Sequence, residues 1–156
     1  MLTILFVCTG NTCRSPMARA LLLERLQASK EWSESLEIQV WSAGLFTQDN
    51  LPASPEAVAA MREEGIDISH HRSLLLRNSQ IQNADLVLTM TVSQRDYLLE
   101  RYPDKSVNIY TLSEFTGDET GDVLDPYGHD REYYRKSLFQ LKLLMDRLFH
   151  KITQPR

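Results

Sequence analysis

The sequence is short of cysteine, of positive charge and of long apolar runs, and each shortage excludes a class of protein. Among 156 residues only two are cysteines, Cys8 and Cys13. Two so close together cannot make the disulfide framework of a small secreted domain. They also fall short of a zinc site, which wants four soft ligands at paired spacings. Lysine and arginine number 17 against 21 aspartate and glutamate, a net charge of −4, so no global basic field draws the chain to nucleic acid or to an anionic membrane. The apolar start, Met1 to Cys8, has no basic flank and gives way at once to Thr9-Gly10-Asn11-Thr12. It reads as neither a signal peptide nor a membrane span. A reducing cytoplasm is the default compartment for such a chain.

What is present is ordinary for a globular protein: 42% hydrophobic and 24% charged residues. The length fits one domain over residues 1–156, able to bury about two-thirds of its unfolded surface without a staple. Ile4-Leu5-Phe6-Val7 and Leu86-Val87-Leu88 are continuous apolar runs, the pattern of strands covered on both faces. Leu36, Ile38 and Val40 alternate with polar residues, and Val107 and Ile109 flank Asn108, so these two read as edge strands. Helical patterns lie between them: Pro16–Ser29, a helix opened by Ser54-Pro55 and ended near Glu64 by Gly65, Val92–Arg101, and a long last helix. Its stripe is Tyr134, Leu138, Leu141, Met145, Leu148 and Ile152.

Strands alternating with helices predict an α/β fold: a four-stranded parallel sheet in the order 2-1-3-4, helices on both faces. The ligand position of such a sheet is the switch point at the C-terminal end of strand one. Cys8 stands there. After it, Thr9-Gly10-Asn11-Thr12-Cys13-Arg14-Ser15 leads into Pro16 and helix one. A tight loop between a strand and a helix start turns several backbone N–H groups on one point, which makes an anion cradle. It is not a Walker loop, because the Gly-Lys-Ser/Thr end is missing. Arg14 supplies a planar fork that holds two phosphate oxygens at once. Taken alone, Cys8 would read as a small buried hydrophobe. The conjunction of strand, Gly-Asn loop, arginine and Ser-Pro helix start reads instead as a thiol nucleophile facing a phosphate-binding loop.

Val7-Cys8-Thr9-Gly10-Asn11-Thr12-Cys13-Arg14-Ser15-Pro16-Met17-Ala18 resembles the phosphate loop of the low-molecular-weight phosphotyrosine phosphatase family. The likeness continues through Ser42-Ala43-Gly44, Gly65-Ile66, Ser69-His70, Ala84-Asp85 and Asp125-Pro126-Tyr127. The resemblance implies that Cys8 attacks phosphorus and forms a cysteinyl-phosphate. Arg14 and the amides of Thr9, Gly10, Asn11, Thr12, Cys13 and Ser15 would hold the oxygens. Asp125 would protonate the leaving group and then activate water, and Tyr127 would wall the substrate slot. Asn11, Ser42 and His70 match positions that brace the loop; at least one of the pair His70 and His71 is expected to be an ordinary loop histidine. No metal and no organic cofactor is implied. Phosphorylated proteins are the implied partners, with no nucleic acid and no membrane, for a monomer in the cytoplasm.

Thr12 departs from the larger aliphatic residue usual in tyrosine-specific members. The form Thr-Gly-Asn-Thr-Cys-Arg resembles the bacterial protein-arginine phosphatases of the same family, which makes phosphoarginine the expected substrate and phosphotyrosine the alternative. A self-resolving arsenate reductase would need further cysteines downstream, and none follows Cys13. A non-catalytic phosphopeptide-binding module would have no use for Cys8 and Asp125 together. A reversible Cys8–Cys13 disulfide is a further expectation wherever the geometry permits one. The stretch from Ser113 to Asp130 is expected to be the functional loop.

Overall fold

A computed structural model describes residues 1–29, 37–119 and 121–154. Four strands, β1 (Leu2–Cys8), β2 (Ile38–Gly44), β3 (Leu86–Thr89) and β4 (Ile109–Thr111), form a parallel sheet in the order β2-β1-β3-β4. The helices are α1 (Arg14–Ala28), α2 (Pro55–Glu63), α3 (Asn78–Asn83), α4 (Val92–Arg101), α5 (Leu112–Thr116) and α6 (Arg131–Thr153). Strand one is apolar from Ile4 to Cys8 because both its faces are covered. Ile4 and Phe6 enter one core with α1, α2 and α6; Leu5 and Val7 enter a second with Ile81 and Leu98 of α3 and α4. The two central strands and the edge positions of β2 and β4 follow the sequence pattern.

Local signals set the helix ends. Ser54 caps α2 by accepting from the Ala57 N–H, and Pro55 occupies the first helical position. Gly65 takes a left-handed φ of +78° just beyond that helix, as a glycine stop requires. On α6, Tyr134, Leu138, Leu141, Met145 and Leu148 are buried and Ile152 is partly buried, so the stripe faces the core.

Three boundaries differ from the sequence pattern. Val107 is not in a strand: Pro103 opens a 3-10 turn over Pro103–Asn108, Val107 is left exposed, and β4 starts at Ile109. The expected loop from Ser113 begins instead as α5, capped reciprocally by Thr111 and Glu114 and ended by Gly117 in a left-handed conformation. Helix α1 begins at Arg14, two residues before Pro16. Leu36, expected in the second strand, lies outside the described residues.

Candidate active site

β1 ends at Cys8 and α1 starts at Arg14, so the intervening residues must turn within one tight loop. Its pivot is Asn11, fully buried and left-handed at φ +57°, a conformation asparagine adopts more readily than most residues. The loop is also pressed against β2. A Cβ on Gly44 would stand 2.8 Å from the Thr9 carbonyl oxygen and 3.1 Å from the Asn11 Cβ, so only glycine lets the two segments approach. Leu45 and Phe46 donate their N–H groups to the carbonyls of Cys8 and Thr9, both at 3.0 Å.

The Asn11 side chain organises the interior. Its Oδ1 accepts from the Leu74 N–H at 2.9 Å, which fixes the amide orientation. Its Nδ2 then donates to Ser15 Oγ at 2.7 Å and to Ser42 Oγ at 3.1 Å. Because Ser15 accepts there, its own hydrogen is free for Cys8 Sγ, 2.9 Å away. The Asn11 N–H donates to the same sulfur at 3.2 Å. Two donors therefore converge on a sulfur whose residue is 2% exposed. Four other helices carry a side-chain cap, from Ser54, Thr91, Thr111 and Asp130. At the start of α1 no side chain caps the amides and no acidic residue stands in the first turn, so its positive end faces the loop uncompensated.

Arg14 is buried, donates from Nη1 to the Val123 carbonyl at 3.1 Å, and brings Nη2 to 3.5 Å from Asp125 Oδ2. A cavity of about 630 Å³ opens over the loop, walled by residues 8–14, Phe46–Gln48, Leu51, Asp125 and Tyr127. Asp125 is half-exposed at its rim, with Oδ1 accepting from the Tyr127 N–H at 3.1 Å. The Tyr127 ring is mostly exposed at the same rim. The geometry thus brings together Cys8, Thr9, Gly10, Asn11, Thr12, Cys13, Arg14, Asp125 and Tyr127 around one cavity, with Ser15 and Ser42 beneath it.

The histidine of the loop is His71 and not His70. His71 Nε2 lies 2.7 Å from the Asn11 carbonyl oxygen, whereas His70 is exposed and makes no such contact. Two residues on, the chain is pinned at Ser73, whose N–H donates to the Leu51 carbonyl at 2.8 Å and whose Oγ accepts from the Leu51 N–H at 2.9 Å, and this tie leaves residue 71 facing the loop. Burial, the largest influence, pushes the His71 imidazole down, and the carbonyl contact opposes that. The nearby charges of Arg19, His70 and Arg72 add to the depression.

Cys13 also lines the cavity, but its sulfur finds its partners in α6 and at the start of α2. Its sulfur lies 3.3 Å from both Ser54 Oγ and Tyr134 Oη, and both cysteines are free. The Tyr134 hydroxyl is held well above its ordinary range, first by burial and then by that contact. Gln94 escaped the sequence reading. Buried on α4, it accepts from the Met90 and Thr91 N–H groups and donates to Thr9 Oγ1 at 3.1 Å. The spacing Thr91-x-x-Gln94 signals a helix cap, but not the reach across to the loop.

Residues 3–156 match the model of a family described as low molecular weight phosphotyrosine protein phosphatase. The chain is 41% identical over 149 residues to a protein-arginine-phosphatase of Geobacillus stearothermophilus, across 96% of this chain and 95% of that one. A solved low molecular weight protein tyrosine phosphatase from T. tengcongensis superposes with a TM-score of 0.88 at 43% identity, covering 97% of this chain and 99% of its own. A mutant YwlE arginine phosphatase with a phosphorylated active-site serine superposes with a TM-score of 0.90 at 35% identity, covering 99% and 98%. A match running nearly from end to end, on the fold and loop described above, leaves one assignment: the chain belongs to the low-molecular-weight phosphotyrosine protein phosphatase family.

Proposed function

We propose that this protein is a phosphoprotein phosphatase that hydrolyses phosphoarginine. The observation that carries the reading is the cavity wall: a small hydroxyl residue, Thr12, and the Asp125 carboxylate stand beside the Cys8–Arg14 cradle. A planar guanidinium offers several N–H donors, and a hydroxyl and a carboxylate are acceptors suited to it. The likeness to the Geobacillus protein-arginine-phosphatase supports the same reading.

In this reading the Cys8 thiolate attacks phosphorus. The P–N bond breaks as the S–P bond forms, and Asp125 gives its proton to the departing guanidine nitrogen. Asp125 then takes a proton from water as that water attacks the cysteinyl-phosphate, breaking the S–P bond and releasing phosphate. Arg14 and the loop amides hold the oxygens through both transition states. The donors at Cys8 Sγ, Ser15 Oγ–H and the Asn11 N–H, hold the sulfur in place as it attacks and later leaves. A nucleophile that must remain a free thiol suits a reducing cytoplasm.

Phosphotyrosine is the second reading, favoured by the exposed aromatic rings of Phe46 and Tyr127 at the cavity mouth. The test is kcat/KM on a phosphoarginine and a phosphotyrosine peptide, with Cys8→Ser as blank and Thr12→Ile as probe. The arginine reading expects wild-type preference for phosphoarginine, shifting by on the order of 10- to 100-fold toward phosphotyrosine in Thr12→Ile. Wild-type preference for phosphotyrosine would make Thr12 a packing residue and the second reading correct.

A further inference from the structure

The segment that delivers Asp125 to the cavity has no regular secondary structure, yet its backbone is tied from the Asp122 carbonyl to the Leu124 carbonyl. Its centre is Val123, which is buried: the Val123 N–H donates to the Met90 carbonyl at 2.9 Å and the Val123 carbonyl accepts from Arg14 of the site at 3.1 Å. Further ties come from α6. Gln140 donates from Nε2 to the Asp122 carbonyl and accepts at Oε1 from the Leu124 N–H, both at 2.9 Å. Ser137, fully buried one turn earlier, donates to the Leu124 carbonyl at 2.8 Å. Asp122 in turn accepts at Oδ1 from the Val92 N–H at the start of α4. One primary amide thus brackets Val123 on both sides, matching a donor and an acceptor that stand two residues apart.

We infer that Gln140, with Ser137 beneath it, is a positioning residue for the Asp125 proton transfer: it sets the height of the Asp122–Leu124 segment, and hence of the next residue, over the Cys8–Arg14 cradle. The inference rests on the reading of Asp125 as the general acid. Gln140 touches neither the cavity nor the sulfur, so its influence runs only through the backbone it holds. Without the amide, Val123 would still hang from Arg14 and Met90, but the Asp122 carbonyl and the Leu124 N–H would lose the one group that holds them in register on either side of it. The carboxylate would then miss the leaving group while the phosphate cradle remained whole.

That separation gives a test a general loss of structure would not mimic. Wild type, Asp125→Asn and Gln140→Met, whose side chain is close in size but has no amide, are assayed on a series of aryl phosphates of graded leaving-group acidity. A working general acid makes kcat/KM depend weakly on the leaving group; its loss makes the dependence steep. Gln140→Met is expected to lose about tenfold or more on the poorest leaving groups and at most about threefold on the best. Its inhibition by inorganic phosphate should stay within about twofold of wild type, because the cradle is untouched. Should Gln140→Met fail to fold, Ser137→Ala is expected to show the same selective loss. A uniform loss across the series, or none, in a folded variant overturns the inference. So does a slope that steepens in Asp125→Asn and not in Gln140→Met. Equal slopes for wild type and Asp125→Asn would overturn the acid assignment itself, and the positioning role with it.

Discussion

The two loops that meet over the cavity are built on opposite plans. The phosphate loop between β1 and α1 is held from inside: Asn11 is fully buried, its side chain serves Ser15, Ser42 and the Leu74 N–H, and Gly44 presses on it from β2. The acid segment is held from outside, by Gln140 and Ser137 of α6 on its backbone and by the Val92 N–H on Asp122, and its Asp125 carboxylate stands 55% exposed at the rim. The difference follows from the work each would do. Holding a multiply charged phosphate needs donors fixed in advance in a site with little water. Passing a proton to a leaving group, and then taking one from an incoming water, needs a carboxylate that solvent can reach.

This contrast predicts that changes in the two loops separate activity from stability. The largest effect is expected from Asp125→Asn: kcat/KM for the favoured phosphopeptide should fall by about 10²- to 10⁴-fold. Its unfolding free energy from urea titration should remain within about 0.5 kcal/mol of wild type, as for other exposed sites. A comparable loss of stability would show that the acid segment is a structural strut after all.

Asn11→Ala should do the reverse first. It removes the partners of several buried groups and places alanine at a left-handed φ, for a cost of about 2–4 kcal/mol. Denaturant unfolding with an unchanged m-value measures it. A loss under about 0.5 kcal/mol would mean the cradle keeps its shape without this amide.

The smallest expected effect is one of pH. Burial holds the folded His71 below the ordinary histidine range, so in mildly acid solution the unfolded chain binds a proton that the folded one refuses. The stabilising contribution is therefore complete above about pH 6.5 and is lost as pH falls through the lower folded value. Urea midpoints of wild type and His71→Gln between pH 8 and pH 5 should diverge at the acid end, with the wild type falling faster. Parallel curves would remove His71 from the loop's support.

How far each loop was legible in the sequence follows from the same contrast. Cys8, Arg14 and Asn11 sit within seven consecutive residues, so a strand, a tight loop and a helix start were enough to bring them together. Asp125 is more than a hundred residues away, and only its Asp-Pro-Tyr setting distinguished it from its acidic neighbours. His70 and His71 could not be told apart by pattern, because a loop has no period to say which side chain turns inward. The Ser73–Leu51 pairing made that choice. Val107 was misplaced for a related reason: three residues of alternation look alike in a strand and in a 3-10 turn, and Pro103 decided between them.

By itself the sequence determined the strand order, the two-faced burial of β1 and the identity of the loop. Each is a matter of local periodicity or of residues adjacent in the chain, where chain geometry leaves few choices. Tertiary structure alone decided what meets that loop and the acid segment over it: Gly44 against Thr9, Gln94 on Thr9 and Leu74 on Asn11 for the loop, and Gln140 around Val123 for the segment. These partners come from β2, from the starts and faces of separate helices, and from a turn sixty residues on. Their contacts are single hydrogen bonds and, at Gly44, one close approach, which leave no repeating mark in a sequence and exist only once the sheet has brought the segments to its C-terminal edge.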